Sequence, residues 1–150
     1  MSVLVGKKAP LFQSQAVLAN GEIVDDFYLG QAISGKYAAL FFYPLDFTFV
    51  CPSEIIAFAN RTPALKALNC EVVAVSTDSH HTHFAWRNTP VEQGGIGPVP
   101  FPLVSDMTRD ISSAYGILAD DSDSFYPAGV AMRATFITVS YTHLTLPTTD

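Results

Sequence analysis

The chain has 150 residues, 49% of them hydrophobic and 15% charged, which is the length and composition of one folded domain and not of a disordered segment. With 8 lysines and arginines and a formal net charge of −6, it lacks the basic surface that nucleic acid requires, and no apolar run approaches the ~18 residues of a membrane-spanning helix. We therefore expect a cytoplasmic protein without a nucleic-acid or membrane partner.

The first predicted element is an antiparallel hairpin. Asn20-Gly21 lies between two short β-prone segments, and this dipeptide readily adopts the positive φ values of a tight turn. The continuous apolar run from Tyr37 to Tyr43 then predicts a strand that is buried on both faces of a sheet and ends at Pro44.

A helix is predicted to begin at Cys51. Pro52 suits the first helical turn, and Glu54 suits the positive end of the helix dipole. Pro63 lies farther along the same pattern. Because proline lacks an N–H donor and clashes with the preceding turn, we expect the helix to be interrupted there and to form two pieces.

The remaining elements alternate between strands and helices. The sequence predicts strands over residues 71–76, 101–104 and 130–139, helices over 81–87 and 110–115, and a glycine-rich loop over 94–98. Strands alternating with helices after an initial hairpin predict an α/β layer fold with a mixed sheet.

The candidate reactive group is Cys51, because it lies between a buried strand and a helix N terminus. Such a position lowers the pKa of a thiol from about 8.5 toward roughly 3.5 to 7.5 and so raises the fraction of thiolate, the nucleophilic form. Thr48 can present its hydroxyl to the sulfur or to an incoming oxygen, and Pro44 can shield the pocket from water. Arg133 is the candidate for a basic group. The alternative is a buried cysteine without a chemical role, and position alone leaves both open.

The sequence also resembles that of a known family. The segment around Cys51 reads PLDFTFVCPSE and resembles the active-site signature of peroxiredoxins, in the branch of the typical two-cysteine peroxiredoxins and the alkyl hydroperoxide reductases. Five further segments are similar to that branch in order and spacing: KKAPLFQSQAV, YAALFFYP, CEVVAVSTDSHHTHFAWRN, GGIGPVPFPLVSD and GVAMRATF. The resemblance covers residues 5 to about 139.

The resemblance implies a fold and a set of roles. The implied fold is a thioredoxin-like three-layer α/β fold with a mixed β-sheet and an N-terminal β-hairpin, of which the last elements are missing. Cys51 becomes the peroxidatic cysteine, Thr48 and Arg133 hold and polarise the peroxide oxygens, and Pro44 shields the thiolate.

Two more positions match the family pattern, Glu54 as the orienting partner of the arginine and Trp86 as a packing residue behind the site. The implied reaction reduces hydrogen peroxide and organic hydroperoxides and leaves a sulfenic acid on the cysteine, with no metal or organic cofactor. The implied electron donor is thioredoxin or a dedicated flavoprotein reductase, and the implied assembly is a homodimer or a ring-shaped homo-oligomer.

The sequence departs from the family pattern near its end. Typical members carry a resolving cysteine there, whereas this chain has only Cys51 and Cys70, and we expect Cys70 to be a packed structural thiol. We expect residues 1–139 to form an incomplete thioredoxin-like domain. Residues 140–150 do not resemble the family, and we interpret them as a disordered or artefactual tail of a truncated gene model.

Two alternatives to a peroxidase stay open at this point. The same cysteine could serve a redox-regulated chaperone or a peroxide sensor, in which oxidation changes assembly, or the chain could be an inactive fragment. A metal site is not expected, because His80, His81 and His83 have no supporting cysteine or carboxylate pair nearby in the sequence, and we interpret them as the exposed start of a helix.

Overall fold

A computed structural model describes residues 6, 8–47, 51–120, 128–139 and 144–146; at residues 51, 52, 139 and 144–146 it describes the backbone alone. The described part contains seven strands and four α-helices. Their bounds are β1 Gln13–Val17, β2 Ile23–Tyr28, α1 Leu29–Ala32, β3 Tyr37–Phe42, α2 Cys51–Ala67, β4 Cys70–Ser76, α3 His80–Arg87, β5 Leu103–Ser105, α4 Asp110–Ala114, β6 Ala134–Val139 and β7 Leu144–Leu146. No helix among the described residues has both the length and the apolar character needed to cross a bilayer.

The seven strands form one mixed sheet in the order β2-β1-β5-β4-β3-β6-β7. β3, β4 and β5 are parallel neighbours, and the other pairs are antiparallel. β3 pairs along its whole length with β4 on one side and with β6 on the other. This confirms the mixed sheet and the buried strand that the apolar run from Tyr37 predicted.

The predicted hairpin is confirmed at β1 and β2. Gly21 has a φ of +89°, and the backbone N–H of Leu18 donates to the carbonyl oxygen of Glu22 across 2.8 Å. The side-chain oxygen of Asn20 accepts a hydrogen bond from the backbone N–H of Glu22 at 2.9 Å. Asparagine and glycine therefore supply the turn chemistry that closes the hairpin.

Side chains alternate between the two faces of the sheet and build two core layers. On β3, Leu40 and Phe42 belong to one layer, which α1 and α4 cover with apolar side chains. Phe41 and the following Tyr43 belong to the opposite layer, which α2 and α3 cover. The helix α2, which Cys51 begins, thus lies on the second layer.

The prediction that Pro63 divides the helix in two is wrong, because α2 is continuous from Cys51 to Ala67 with the proline inside it. The hydroxyl of Thr62 donates to the carbonyl oxygen of Phe58 at 2.8 Å, which gives the turn before the proline a hydrogen bond of its own. Ile55, Phe58 and Leu65 pack against the sheet on both sides of Pro63. Burial of this apolar face outweighs the local cost of one proline, about 3 kcal/mol.

Replacing Pro63 with alanine is therefore expected to raise the free energy of unfolding, by about 1 to 3 kcal/mol, because it restores the missing N–H donor and removes the clash. Urea denaturation followed by circular dichroism measures the change. Ala64 is the matched control position, since it is exposed in the same helical turn, and Ala64→Gly should lower the free energy of unfolding by about 1 kcal/mol. An unchanged midpoint in Pro63→Ala would show that the proline is not strained in this helix.

The last predicted strand and the predicted tail differ from the strands that the structure shows. The predicted strand over 130–139 is shorter, because Ala131 pairs with Leu118 in an isolated bridge and the sheet strand begins only at Ala134. Within the predicted tail, β7 pairs with β6 in antiparallel register, while residues 140–143 and 147–150 lie outside the described residues. The division into residues 1–139 and 140–150 stays a prediction.

Candidate active site

The reactive cysteine predicted from the sequence stands at the first residue of α2. Its side chain lies outside the described part of the structure, as does all of Thr48. Pro44 is the second residue after the end of β3 and is buried. The contacts predicted among Cys51, Thr48 and the other site residues therefore stay predictions, and the surrounding framework is what the structure describes.

A charged pair lies at the first turn of α2. Arg133 Nε donates to Glu54 Oε1 at 2.7 Å, with side chains 26% and 32% exposed. Arg133 immediately precedes Ala134, which pairs with Phe42 at the carboxyl end of β3. The sheet thus brings an arginine from late in the chain to the helical turn that begins at Cys51. A cation and the positive end of a helix dipole both favour an anion at such a place.

A cavity of about 580 Å³ opens beside this pair. Most of its wall is apolar, and the side chains from α2 lie at helical spacing along one face. Its lining residues are Phe41, Glu54, Ala57, Phe58, Arg61, Leu65, Arg133, Ala134 and Thr135. The candidate site therefore combines a charged end with a mainly apolar flank.

Trp86 lies behind the segment that joins β3 to α2. It is fully buried, and its Nε1–H donates to the carbonyl oxygen of Gly94 at 3.0 Å. Its ring lies 5.8 Å from that of Tyr43 and 6.0 Å from that of Phe47, measured between centroids. One aromatic side chain on α3 thus supports both ends of the turn that contains Pro44.

The sequence interpretation missed a buried polar cluster. His83 was placed with its neighbours on the exposed start of a helix; His81 is exposed, but His83 is fully buried, so the interpretation is wrong there. His83, Trp86 and Arg87 are all buried at i, i+3 and i+4 on α3, and this spacing places them on the face that packs on the sheet. That spacing is the signal that could have revealed the burial.

The cluster joins the turn after β3 to α3 and β5. Tyr43 donates its hydroxyl hydrogen to Asp46 Oδ1 at 2.6 Å, and His83 Nδ1 lies 2.6 Å from Asp46 Oδ2. The other ring nitrogen of His83 lies 2.9 Å from the carbonyl oxygen of Val104. Burial, together with the charge of Asp46, holds the pKa of Tyr43 well above its usual range, so Tyr43 remains a donor.

Comparison with known proteins identifies the family. The model of the AhpC/TSA family matches residues 5–144. The chain belongs to this family. It is 50% identical over 136 residues to peroxiredoxin-2 of Bos taurus and 48% identical over 137 residues to peroxiredoxin-1 of Gekko japonicus. These alignments cover 89% of this chain but only 62% and 63% of the relatives, so the chain spans about three fifths of their length.

Solved structures confirm the predicted fold. The reduced 2-Cys peroxiredoxin of Plasmodium vivax superposes with a TM-score of 0.85 at 41% identity, covering 95% of this chain and 82% of that one. The mitochondrial 2-Cys peroxiredoxin of Plasmodium falciparum gives a TM-score of 0.83 at 41% identity, covering 97% and 82%. The predicted thioredoxin-like peroxiredoxin fold is therefore correct.

Cys70 lies far from the start of α2. It begins β4 opposite Tyr37, at the amino end of the parallel pair, whereas α2 begins near the carboxyl end of β3. Six strand residues separate the two edges of the sheet by about 20 Å. Cys70 is buried, and its thiol donates weakly to the carbonyl oxygen of Glu71 at 3.7 Å. Burial and the charge of Glu71 raise the pKa of this thiol, which keeps it protonated.

No group of three or more His, Cys, Asp or Glu side chains among the described residues could hold a metal ion. The structure brings Arg133 and Glu54 into contact, and it places Pro44 and Trp86 around the turn that precedes α2. Sequence spacing alone could not have paired Arg133 with Glu54, since they are 79 positions apart.

Proposed function

We propose that the protein is a thiol-dependent peroxidase in which Cys51 reduces hydrogen peroxide and organic hydroperoxides. The observation that supports this most directly is the contact between Arg133 and Glu54 at the first turn of the helix that Cys51 begins. An arginine and a helix N terminus together stabilise a thiolate, the form of cysteine that attacks peroxides. Membership of the AhpC/TSA family supports the same reaction.

In the proposed reaction the thiolate of Cys51 attacks one oxygen of the peroxide, and the O–O bond breaks. Sulfur gives up two electrons and forms an S–O bond, so the cysteine becomes a sulfenic acid. The second oxygen leaves as hydroxide or alkoxide and takes up a proton to give water or an alcohol. Negative charge develops on both oxygens during this displacement, and preorganised donors stabilise it.

Each site residue has a role in this proposal. Arg133, held by Glu54 at the first turn of the helix that Cys51 begins, donates to the peroxide oxygens. Thr48 is the second donor. Pro44 shields the thiolate from bulk water. The mainly apolar cavity beside Arg133 gives an organic hydroperoxide a surface for its carbon chain.

A reductant must return the sulfenic acid to the thiol. A dithiol does this by attacking the sulfenic sulfur, releasing water and then closing its own disulfide. Because Cys70 is buried at the opposite edge of the sheet, we propose an external donor, thioredoxin or a flavoprotein reductase. A related structure is that of a thioredoxin peroxidase from Plasmodium yoelii. A homodimer or ring-shaped homo-oligomer in the cytoplasm completes the proposal.

Intact-mass spectrometry after a short pulse of stoichiometric peroxide, in the presence of a sulfenic-acid trap, tests the function. The parent protein should gain one trap adduct within seconds. Cys70→Ser is the matched control and should react like the parent, whereas Cys51→Ser should gain no adduct. A folded parent that gains no adduct, or an adduct that Cys70→Ser abolishes, would refute the assignment of Cys51.

A further inference from the structure

The contacts of His83 fix the number of protons in the buried cluster beside the site. The carbonyl oxygen of Val104 can only accept a hydrogen bond, so Nε2 of His83 carries a proton. The 2.6 Å contact between Nδ1 and Asp46 Oδ2 requires a second proton between these two atoms. Tyr43 donates its proton to the other carboxyl oxygen. His83 and Asp46 therefore share one proton in a place without access to water.

Asp46 also holds the turn that leads toward α2. Its backbone N–H donates to Asp78 Oδ2 at 2.9 Å, and Asp78 is itself held by the hydroxyl of Ser76 at 2.7 Å. The next residue, Phe47, has a φ of +60°, in the left-handed region that a side chain with a Cβ atom disfavours. A turn with this strain persists only when its surroundings fix it, and Asp46 supplies contacts on both its side chain and its backbone.

We propose that the His83–Asp46 pair is a positioning device for the site at Cys51: its shared proton ties Asp46 to α3 and thereby fixes the turn that carries Pro44 toward α2. If the proton leaves, two lone pairs face each other across a buried contact, or the imidazole turns its remaining proton to Asp46 and loses Val104. In both cases the hydrogen-bonded link between Asp46 in the turn and its neighbours on α3 and β5 is weakened. The effect on peroxide reduction rests on the proposed function, whereas the movement of the turn does not.

The direction of the pH dependence follows from the surroundings of the pair. Burial lowers the pKa of His83, but the hydrogen bond and the charge of Asp46 outweigh it, and Asp78 adds in the same direction, so the pKa is raised. Burial also raises the pKa of Asp46. The folded protein thus binds the proton more tightly than the unfolded chain. Stabilisation by the pair is complete below about pH 6.5, the unfolded pKa of histidine, and is lost as pH rises through the raised pKa of the folded pair.

Asp46→Asn is the variant that isolates this proton. The amide oxygen can still accept from Tyr43, and the amide N–H can donate to His83 Nδ1 while Nε2–H donates to Val104. The network remains satisfied around a neutral imidazole, and the proton shared with the carboxylate is absent. Trp86 is the only tryptophan and touches both Tyr43 and Phe47, so its fluorescence reports the position of the turn.

The experiment follows Trp86 emission and the rate of sulfenic acid formation in both proteins from pH 6 to pH 10. In the parent, emission should change above pH 6.5, and the rate relative to Asp46→Asn should fall about tenfold across the range. Asp46→Asn should show no such change in emission. His80 and His81 are the same in both proteins, so they do not contribute to the difference between them. Coincident emission curves and a rate ratio constant within twofold would overturn the proposal.

If Asp46→Asn does not fold, measurements on the parent protein alone test the proposal. Nitrogen NMR of the buried His83 ring and Trp86 emission should then share one midpoint above pH 6.5, and emission that stays constant while His83 titrates would overturn the proposal. Absence of sulfenic acid in both proteins at every pH would count against the peroxidase function. The emission curves would still test whether the His83–Asp46 pair fixes the turn.

Discussion

Replacing Arg133 with alanine is expected to slow the reaction of Cys51 with hydrogen peroxide at neutral pH by at least about tenfold, and toward a hundredfold if Arg133 donates directly to the transition state. A tenfold loss corresponds to about 1.4 kcal/mol of transition-state stabilisation. Arg133 is held at the first turn of α2 by the 2.7 Å contact with Glu54, so its removal takes a fixed cation away from the proposed reaction centre. Stopped-flow kinetics with a sulfenic-acid trap measures the rate.

Arg61 is the matched control for this prediction. It is an exposed arginine on the same helix and lines the same cavity, about two turns farther from Cys51. Arg61→Ala removes an equal charge and should leave the rate within about twofold, since exposed charges act weakly across water. If Arg133→Ala also stays within twofold of the parent, or if both variants lose rate equally, Arg133 has no specific part in peroxide reduction.

Local sequence signals predicted the centre of the fold well. The run from Tyr37 to Tyr43 is aliphatic or aromatic at every position, which favours a strand covered on both faces. β3 lies between β4 and β6, and of its residues only Tyr37 is exposed. Asn20-Gly21 predicted the hairpin correctly, although only Gly21 adopts a positive φ and Asn20 contributes through its side-chain oxygen. In these places local chemistry and tertiary structure agree.

The errors arose where distant parts of the chain decide the outcome. Pro63 was expected to break α2, but packing on both sides of it keeps the helix continuous. The strand predicted from residue 130 begins at Ala134 because Ala131 pairs instead with Leu118. The spacing of His83, Trp86 and Arg87 on α3 could have indicated that His83 is buried, but its partner, Asp46, lies 37 positions away. Neither the bridge nor the buried pair has a signature within one window of sequence.

In the candidate site, too, local sequence predicts some features and distant parts of the chain decide others. The helix start at Cys51 follows from Pro52 and Glu54, which are local signals. Family resemblance implied the role of Arg133 and its pairing with Glu54, and the structure shows the contact between them at 2.7 Å. The hydrogen bonds of the buried cluster behind the site are known from the structure alone, because the residue type histidine does not reveal which distant groups it contacts.

The largest loss of stability is expected from Trp86→Ala, about 3 to 5 kcal/mol in the free energy of unfolding. The side chain is fully buried in the core layer under α2 and α3, where it contacts Tyr43 and Phe47. Its removal leaves a large cavity and deprives the Gly94 carbonyl oxygen of its donor. Since a domain of this size is stable by only about 5 to 15 kcal/mol, the loss is a large part of the total.

Two controls separate the causes of this loss. Trp86→Phe keeps an aromatic ring but loses the N–H donor, so it should cost about 1 to 2 kcal/mol, less than the alanine variant. Phe84 lies on the same helix but is 40% exposed, and Phe84→Ala should cost no more than about 1 kcal/mol. Urea denaturation of the three variants beside the parent measures all of these values. A cost for Trp86→Ala no greater than that of Phe84→Ala would mean that the core closes around the gap, and the turn between β3 and α2 would then not depend on the indole.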